Sequence, residues 1–466
     1  MRLNFKFLFV ALASFGLASC TGGTKASDEE LEKKPGNEES AFADDDEFLD
    51  WLQRTHFNYM WEGAEPTSGL APERIHMDNV YPDNDKQVIT TGGSGFGIAG
   101  IIAAMDRGFI TRGEGAERLA KIVDYLGKAD RFHGVWPHWL DGPTGKVKPF
   151  GQKDNGGDLV ESSFLMASLL AAREYLKDGN EQEKQVAEGI DKLWRDMEFD
   201  WYTRGGRDVL YWHWSPEYQW EMNFPLEGYN ECLITYVLAA SSPTHSIPAS
   251  AYHKGWARDG GIVSNKKFMG LPLILKHNGA EATGGPLFWS HYSYIGLDPR
   301  GLKDQYADYW QLNVNHAKSN YLYCVSNPHN YKGYGEDCWG LTASYSTAGY
   351  SAHAPNNDLG VITPTAALSS MPYTPEESMR AARYFYSKGQ QMRGKYGFYD
   401  AFSEQDNWIT PRYLAIDQLT IAPMIENYRS GLIWNLFMGA PEIQEGLRKL
   451  GFETSKHQES VICVIS

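Results

Sequence analysis

Leu159 to Leu176 is a run rich in Ala and Leu, with no polar face wide enough to meet water. A helix that is apolar nearly all round has to be enclosed by other elements of a folded domain. Ile416 to Met438 is apolar in the same way. Glu181 to Met197 differs, because Val186, Ile190, Leu193 and Trp194 fall on one face and leave the other to solvent. Pro375 to Met392 also reads as an outer helix, opened by Pro and two Glu, residues suited to a first turn. Two kinds of helix in one chain predict two layers.

Further helical patterns cover Phe48–Met60, Gly95–Met105, Ala116–Leu126, Glu231–Ala240, Leu302–Ala317, Pro364–Ser370 and Pro441–Leu450, with a weaker one over Ser264–Leu275. The total is about twelve helices by periodicity. That count fits an all-α fold of two concentric rings of six, an (α/α)6 toroid. No Pro/Gly/Ser linker divides residues 45–455, so one domain is expected there. Long aromatic, Gly-rich loops between the helices would form a cleft at one end. Val209–Trp214 and Lys395–Phe402 alternate enough to be irregular strands in those loops.

The first residues follow a different logic. Arg2 and Lys6 precede an apolar stretch, Phe7–Leu17, which is shorter than the ~20 residues that span a bilayer. Leu17-Ala18-Ser19-Cys20 then reads as a bacterial lipobox. Residues 1–19 are expected to be removed as a signal peptide. Diacylation of Cys20 would anchor the chain to a membrane, and residues 20–44 would be a disordered, solvated tether. The implied location is the periplasm or cell surface, on the outer membrane. Cys232, Cys324, Cys338 and Cys463 lack zinc-site spacing; a Cys324–Cys338 bond and free buried thiols are both open. Residues 456–466 have no assigned role.

A net charge of -16 disfavours nucleic acid as a partner. The 15 Trp and 27 Tyr point elsewhere, since flat amphipathic rings stack on sugar faces as well as packing cores.

Candidate chemistry gathers where acids meet apolar helices. Asp154, Asp158 and Glu161 head the Leu159 helix and share one face if the helix begins by Asp154. An N-cap Asp with Glu at N3 would explain Asp158 and Glu161 alone. Three acids on an enclosed helix are costly unless they line a polar cleft. Glu231 opens another apolar helix, and Asp400 sits among aromatics in Phe398-Tyr399-Asp400-Ala401-Phe402. Asp417, Glu426 and Arg429, in a C-terminal segment, are candidate substrate contacts, although Glu426 and Arg429 could simply pair. Trp136, His138 and Trp139, then His213 and Trp214, then Phe288 and His291, form aromatic–His clusters suited with Tyr399 to a sugar-binding cleft. Thr91–Gly97 lacks the Lys of a nucleotide loop, and no HExxH or GxSxG motif is present.

Gly-Gly-Asp158-Leu-Val-Glu161-Ser-Ser-Phe, the Phe398–Ser403 segment and the Ala415–Gly431 segment together resemble the glucoamylase-like family. Within it the chain looks like glycoside hydrolase family 144, the bacterial endo-β-1,2-glucanases, over roughly residues 48–450. The resemblance implies an (α/α)6 barrel, endolytic cleavage of linear β-1,2-glucan, sophorose as main product, anomeric inversion and no metal or other cofactor. It places the family's acidic cluster on Asp154, Asp158 and Glu161 and its acidic residue at the start of the next inner helix on Glu231, which is taken as the general acid. For the base, Asp158, Asp154 and Asp400 compete. A monomer is expected. The alternatives are a non-catalytic glycan-binding lipoprotein and a hydrolase of another neutral glucan.

Overall fold

The structure, a computed structural model, describes residues 41–454. The signal peptide, Cys20, most of the tether, Cys463 and the tail 456–466 lie outside the described residues. Within them run thirteen α-helices: α1 Asp45–Trp61, α2 Thr91–Asp106, α3 Arg112–Lys128, α4 Leu159–Leu176, α5 Glu181–Arg195, α6 Leu233–Ser241, α7 Tyr309–Ser326, α8 Pro364–Leu368, α9 Pro375–Ser387, α10 Ala415–Gln418, α11 Ile421–Arg429, α12 Leu432–Gly439 and α13 Pro441–Lys449. None of them is long and apolar enough to cross a membrane.

The two kinds of helix separate as expected. Helices α6 and α8 are buried at every position, α2 at all but its last, and α4 at all but two. Helices α3, α5, α9 and α13 bury one face only. Capping boxes start two of these outer helices, Thr111 with Glu114 and Asn180 with Glu183. Helix α2 lies against α1, α3, α4, α11 and α12. Its small residues allow this: a Cβ on Gly95 would stand 2.6 Å from the Leu165 backbone of α4. The fully buried Phe96, Leu165, Leu169 and Ile234 each contribute roughly 1.5–3 kcal/mol on leaving water.

Several boundaries differ from the sequence reading, each for a local reason. Ser264–Leu275 is not a helix. Lys267–Phe268 pairs with Leu271–Pro272 around Met269 and Gly270, whose φ of 50° and 82° suit a tight hairpin turn. Helix α7 begins at Tyr309 rather than Leu302 because Asp308 accepts the N–H of Gln311 (3.1 Å). Just before it, Asp304 holds a turn through the N–H groups of Tyr306 and Ala307. Ile416–Met438 is broken into α10, α11 and α12; Gly431, at φ 71°, makes the second break. Helix α6 starts at Leu233, so Glu231 stands just ahead of it. The expected tether ends early, since Phe42 packs on Phe48, Trp51 and Tyr386 and Asp44 caps α1. Cys232, Cys324 and Cys338 are free buried thiols.

Strands are short, and the largest sheet among the described residues has three. They knit together the loops at the heads of the inner helices. Thr90, which leads into α2, pairs with Trp139. Asp158, which leads into α4, pairs with His213. Leu414, which leads into α10, pairs with Arg74. This pairing brings separated polar residues to one end of the domain.

Candidate active site

Asp158 is wholly buried, and its two oxygens serve four donors. Oδ1 accepts the N–H groups of Val160 (3.1 Å) and Glu161 (2.9 Å) and the indole N–H of Trp212 (2.8 Å). Oδ2 lies 3.0 Å from Nδ1 of His138. The N-cap reading of Asp158 therefore holds, but Glu161 completes no capping box. Its carboxylate instead accepts the N–H of Gly92 at the head of α2 (2.8 Å). Asp154 is not on the helix; it sits in the loop before it, with Oδ1 buried and unpartnered. His213 Nε2 lies 3.6 Å from Asp154 and 3.8 Å from Asp158.

These groups set one another's protonation. Burial opposes charge on His138, but Glu161, Asp158 and Asp154 outweigh it and push the imidazole up to about 10. Burial favours neutral Asp158, and His138 overrides it, holding that carboxyl below its ordinary range. Glu161 has less compensation; burial, with Asp158 and Glu73 adding, takes it up to about 8. Asp154 is raised by burial and Asp158 against the pull of His213.

Glu231 is half-buried ahead of α6. Ser293 pins that corner, donating to the Glu231 carbonyl while accepting the N–H of Ile234 (3.1 Å). Burial pushes the Glu231 carboxyl up to about 7; a hydrogen bond from Trp289 opposes the rise and the charge of Asp158 adds to it.

Asp400 and Asp417 form a second buried pair. Asp400 accepts the N–H of Tyr345 (2.7 Å), and Tyr292 donates to Asp417 (3.4 Å). Burial takes Asp400 up to about 6 and Asp417 well above its ordinary value, Asp400 adding to the latter. Glu73, itself buried and raised, acts on both Glu161 and Asp417 and so links the two groups of acids. The hairpin Ala343–Ser346/Gly349–Ala352 carries Tyr350, whose phenol feels Asp417, Asp400, Glu73 and Glu161.

The sequence reading missed Glu73 and Tyr350, and singled out no role for Trp212, Trp289 and Tyr292, the last two lying within the Phe288–Tyr292 aromatic cluster. Trp212 lay inside a flagged cluster; Glu73, on the edge of a short strand, carries no pattern. Of the predicted sugar contacts, His138 and His213 touch the acids. Trp136 is a frame residue instead: its indole donates to the Leu126 carbonyl, and its own carbonyl accepts from Asp158 and Ser162. Trp139 is buried under Phe150 and Arg74. Phe288 stacks on Tyr292, and buried His291, lowered to about 3, meets Ser370 (2.9 Å). Tyr399 packs on Tyr413, and Trp214 turns toward His133 and Trp201.

Glu426 and Arg429 do not join the cluster. Nor do they pair with each other. Glu426 takes Arg107, Gln53 (2.9 Å) and Ser430 (2.6 Å), while Arg429 binds Asp50 (2.5 Å). Arg107 ends α2, about 22 Å along the helix from Gly92 at 1.5 Å per residue. Arg107→Ala strands a buried charge and is expected to cost about 3–5 kcal/mol. Denaturant unfolding checks this; unchanged stability would dismiss the pairing as structural cement. The kcat is expected to stay near wild type.

His138, Asp154 and Asp158 present ligand atoms within 4.8 Å of one another, the one such group among the described residues. Imidazole with carboxylate suits a transition metal; here His138 Nδ1 instead pairs with Asp158 Oδ2, while Oδ1 takes three N–H donors.

Carboxyl groups pushed to different protonation states at the heads of enclosed helices, beside aromatic rings, are suited to acid–base cleavage of a glycosidic bond. The comparisons carry this to a family. The Glycoamylase family model, described as "Putative glucoamylase", matches residues 223–441. An endo-β-1,2-glucanase from Chitinophaga pinensis, solved with sophorotriose and glucose, is 61% identical over 88% of this chain and 99% of its own, with a TM-score of 0.87. The chain belongs to the glucoamylase-like family, of the glycoside hydrolase family 144 type. A β-1,2-glucanase structure from Parabacteroides distasonis is 45% identical over 88% of this chain and 60% of that one, with a TM-score of 0.83. An exo β-1,2-glucooligosaccharide sophorohydrolase (non-reducing end) of the same organism is 46% identical over 87% of this chain. The chain spans 58% of that relative's length.

Proposed function

We propose that this chain hydrolyses linear β-1,2-glucan within the polymer, with inversion, releasing sophorose and short oligosaccharides. The observation that carries the reading is the division of labour among its acids. Glu231, raised to about 7, keeps a proton to give near neutral pH, while Asp158 is held ionised. The endo-β-1,2-glucanase at 61% identity supports the substrate. An (α/α)6 toroid is the architecture we assign, with the fully buried segment 287–297 taking the place of a sixth inner helix.

Glu231 donates its proton to the glycosidic oxygen as the bond to the anomeric carbon breaks. Water attacks that carbon from the opposite face and loses a proton to a carboxylate. Asp154 suits that base by its oxygen free of protein donors, with His213 opposing the burial that raises its carboxyl, whereas ionised Asp158 has both oxygens engaged. Asp400 also keeps Oδ1 without a protein donor, its Oδ2 accepting the N–H of Tyr345, and so remains the rival for the base. Where Asp154 does not reach the water directly, a substrate hydroxyl relays the proton. Charged His138 serves to hold Asp158, and through it the head of α4, in place.

The similarity to a sophorohydrolase favours one rival, release of sophorose from the non-reducing end. A panel of β-1,2, β-1,3, β-1,4, β-1,6 and α-1,4 glucans separates the readings. Endo action is expected to drop the viscosity of the β-1,2 polymer before much sophorose accumulates. Sophorose release without that drop would transfer the chain to the exo reading. Cleavage of another polymer alone would discard the linkage. Binding without cleavage would make it a glycan-binding protein. The lipobox at Cys20 supports a location on a membrane surface, which detergent partitioning of the full chain checks.

A further inference from the structure

We propose that the depression around Trp201 is a second carbohydrate site, which holds a neutral glucan chain outside the cleft. The proposal rests on the glucan-hydrolase reading. The depression has a volume of about 500 Å³, within the range of small-molecule sites. Trp201 and Trp220 line it, with Arg204, Glu198, Asp200 and His245 at its rim. Trp201 is 38% exposed, which leaves part of its ring open to a ligand. Its ring is fixed, not loose: it stacks on His133 with centroids 3.6 Å apart, and Trp214 meets it edge-on at 5.6 Å. Trp220 lies 6.3 Å away at 31°. Two indoles thus stand beside one another with nothing but solvent over part of Trp201.

The rim decides the occupant. Glu198 engages His133 (2.9 Å), Asp200 engages His245 (3.1 Å), and Arg204 engages Asn223 (2.7 Å). Each keeps further donor or acceptor capacity for hydroxyl groups. An apolar peptide would desolvate those charges without replacing their water. A polyanion would meet Glu198 and Asp200. A neutral sugar offers both things the surface asks for, an apolar ring face and a hydroxyl edge. The site stands across the short strand His213–Trp214 from the acids, since neighbouring strand side chains leave on opposite faces. Trp214 adjoins Trp201 on one side, and its chain neighbour His213 faces Asp154 and Asp158 on the other.

The test compares Trp201→Ala and Trp201→Phe in the full chain. With Trp201→Ala, the ratio of kcat/KM on β-1,2-glucan polymer to that on a β-1,2 trisaccharide is expected to fall about fivefold, the scale of one lost ring contact. Trp201→Phe restores most of it. A parallel titration of Glu231→Gln chains, with and without Trp201→Ala, reads affinity for each polymer of the glucan panel directly. An unchanged ratio and unchanged polymer affinity would overturn the site. Should Trp201→Ala unfold, Arg204→Ala carries the same comparison. If β-1,2-glucan proves not to be the substrate, a Trp201-dependent loss of affinity for another neutral glucan still supports the pocket. Binding of no glucan by wild type would overturn both readings.

Discussion

Replacing Glu231 by Gln is expected to lower kcat on the glucan polymer by about 10²–10⁴-fold, the usual contribution of a positioned general acid. Gln keeps the size and hydrogen-bonding reach of Glu but has no proton to give. Binding of the uncleaved polymer should survive, because Ser293 fixes this corner through the backbone and not through the carboxyl. The pH dependence follows from the same group. Its carboxyl, raised to about 7, is protonated below that value and useless as an acid above it. The kcat/KM of wild type is therefore expected to fall on the alkaline side of about pH 7, and the residual activity of Glu231→Gln to lack that limb. A substrate whose leaving group needs no proton should be cut by the variant with a much smaller loss. Near wild-type turnover of the polymer by Glu231→Gln would reject the assignment and move the acid to Glu161, the other carboxyl raised to about 8.

What could be read in the sequence was local, and what could not was long-range. Helix α4 declared both its burial and its acids, because an enclosed helix has no wet face on which to place Asp158 and Glu161. Spacing misled at Glu426, where the i+3 neighbour Arg429 looked like its partner. A buried acid on an inner helix looks alike at either end, and its partner Arg107 lies on a helix 319 residues away in the chain. Glu73 gave no signal because it reaches the site through strand pairing, not through a helix head. The hairpin at Lys267–Pro272 was hidden for another reason. Apolar residues at helical spacing outweighed the turn that Met269 and Gly270 make with positive φ. The aromatic clusters were found but sorted imperfectly. Trp136 and Trp212 come from two of them, yet one props the loop through its carbonyl while the other donates to Asp158. No spacing rule distinguishes these uses.

Asp158→Ala is the larger test of how the site is held together. If Asp158 were only the N-cap of α4, its loss would cost about 0.5–2 kcal/mol. It also receives Trp212 and a charged His138 while wholly buried. Removing one partner of such a pair typically costs about 3–5 kcal/mol. The higher figure is expected, along with loss of activity as Asp154 and His213 lose a fixed neighbour. Asp158→Asn separates the two contributions, since its amide oxygen can still cap α4 but the charge for His138 is gone. The pH dependence has a definite sign. The raised His138 contributes fully below its unfolded value of about 6.5, and that contribution is lost as pH rises through about 10. The depressed Asp158 contributes above its unfolded value of about 4 and loses that contribution as pH falls through its lower folded value. Wild type should thus exceed Asp158→Ala most clearly between about pH 5 and 7, and the gap in melting temperature should narrow toward pH 10. His138→Gln should narrow it already at neutral pH. A constant gap of the N-cap size at every pH would mean that the His138–Asp158 pair adds nothing to the cap, and that the ordering of this cluster comes from the strand pairing of Asp158 with His213 instead.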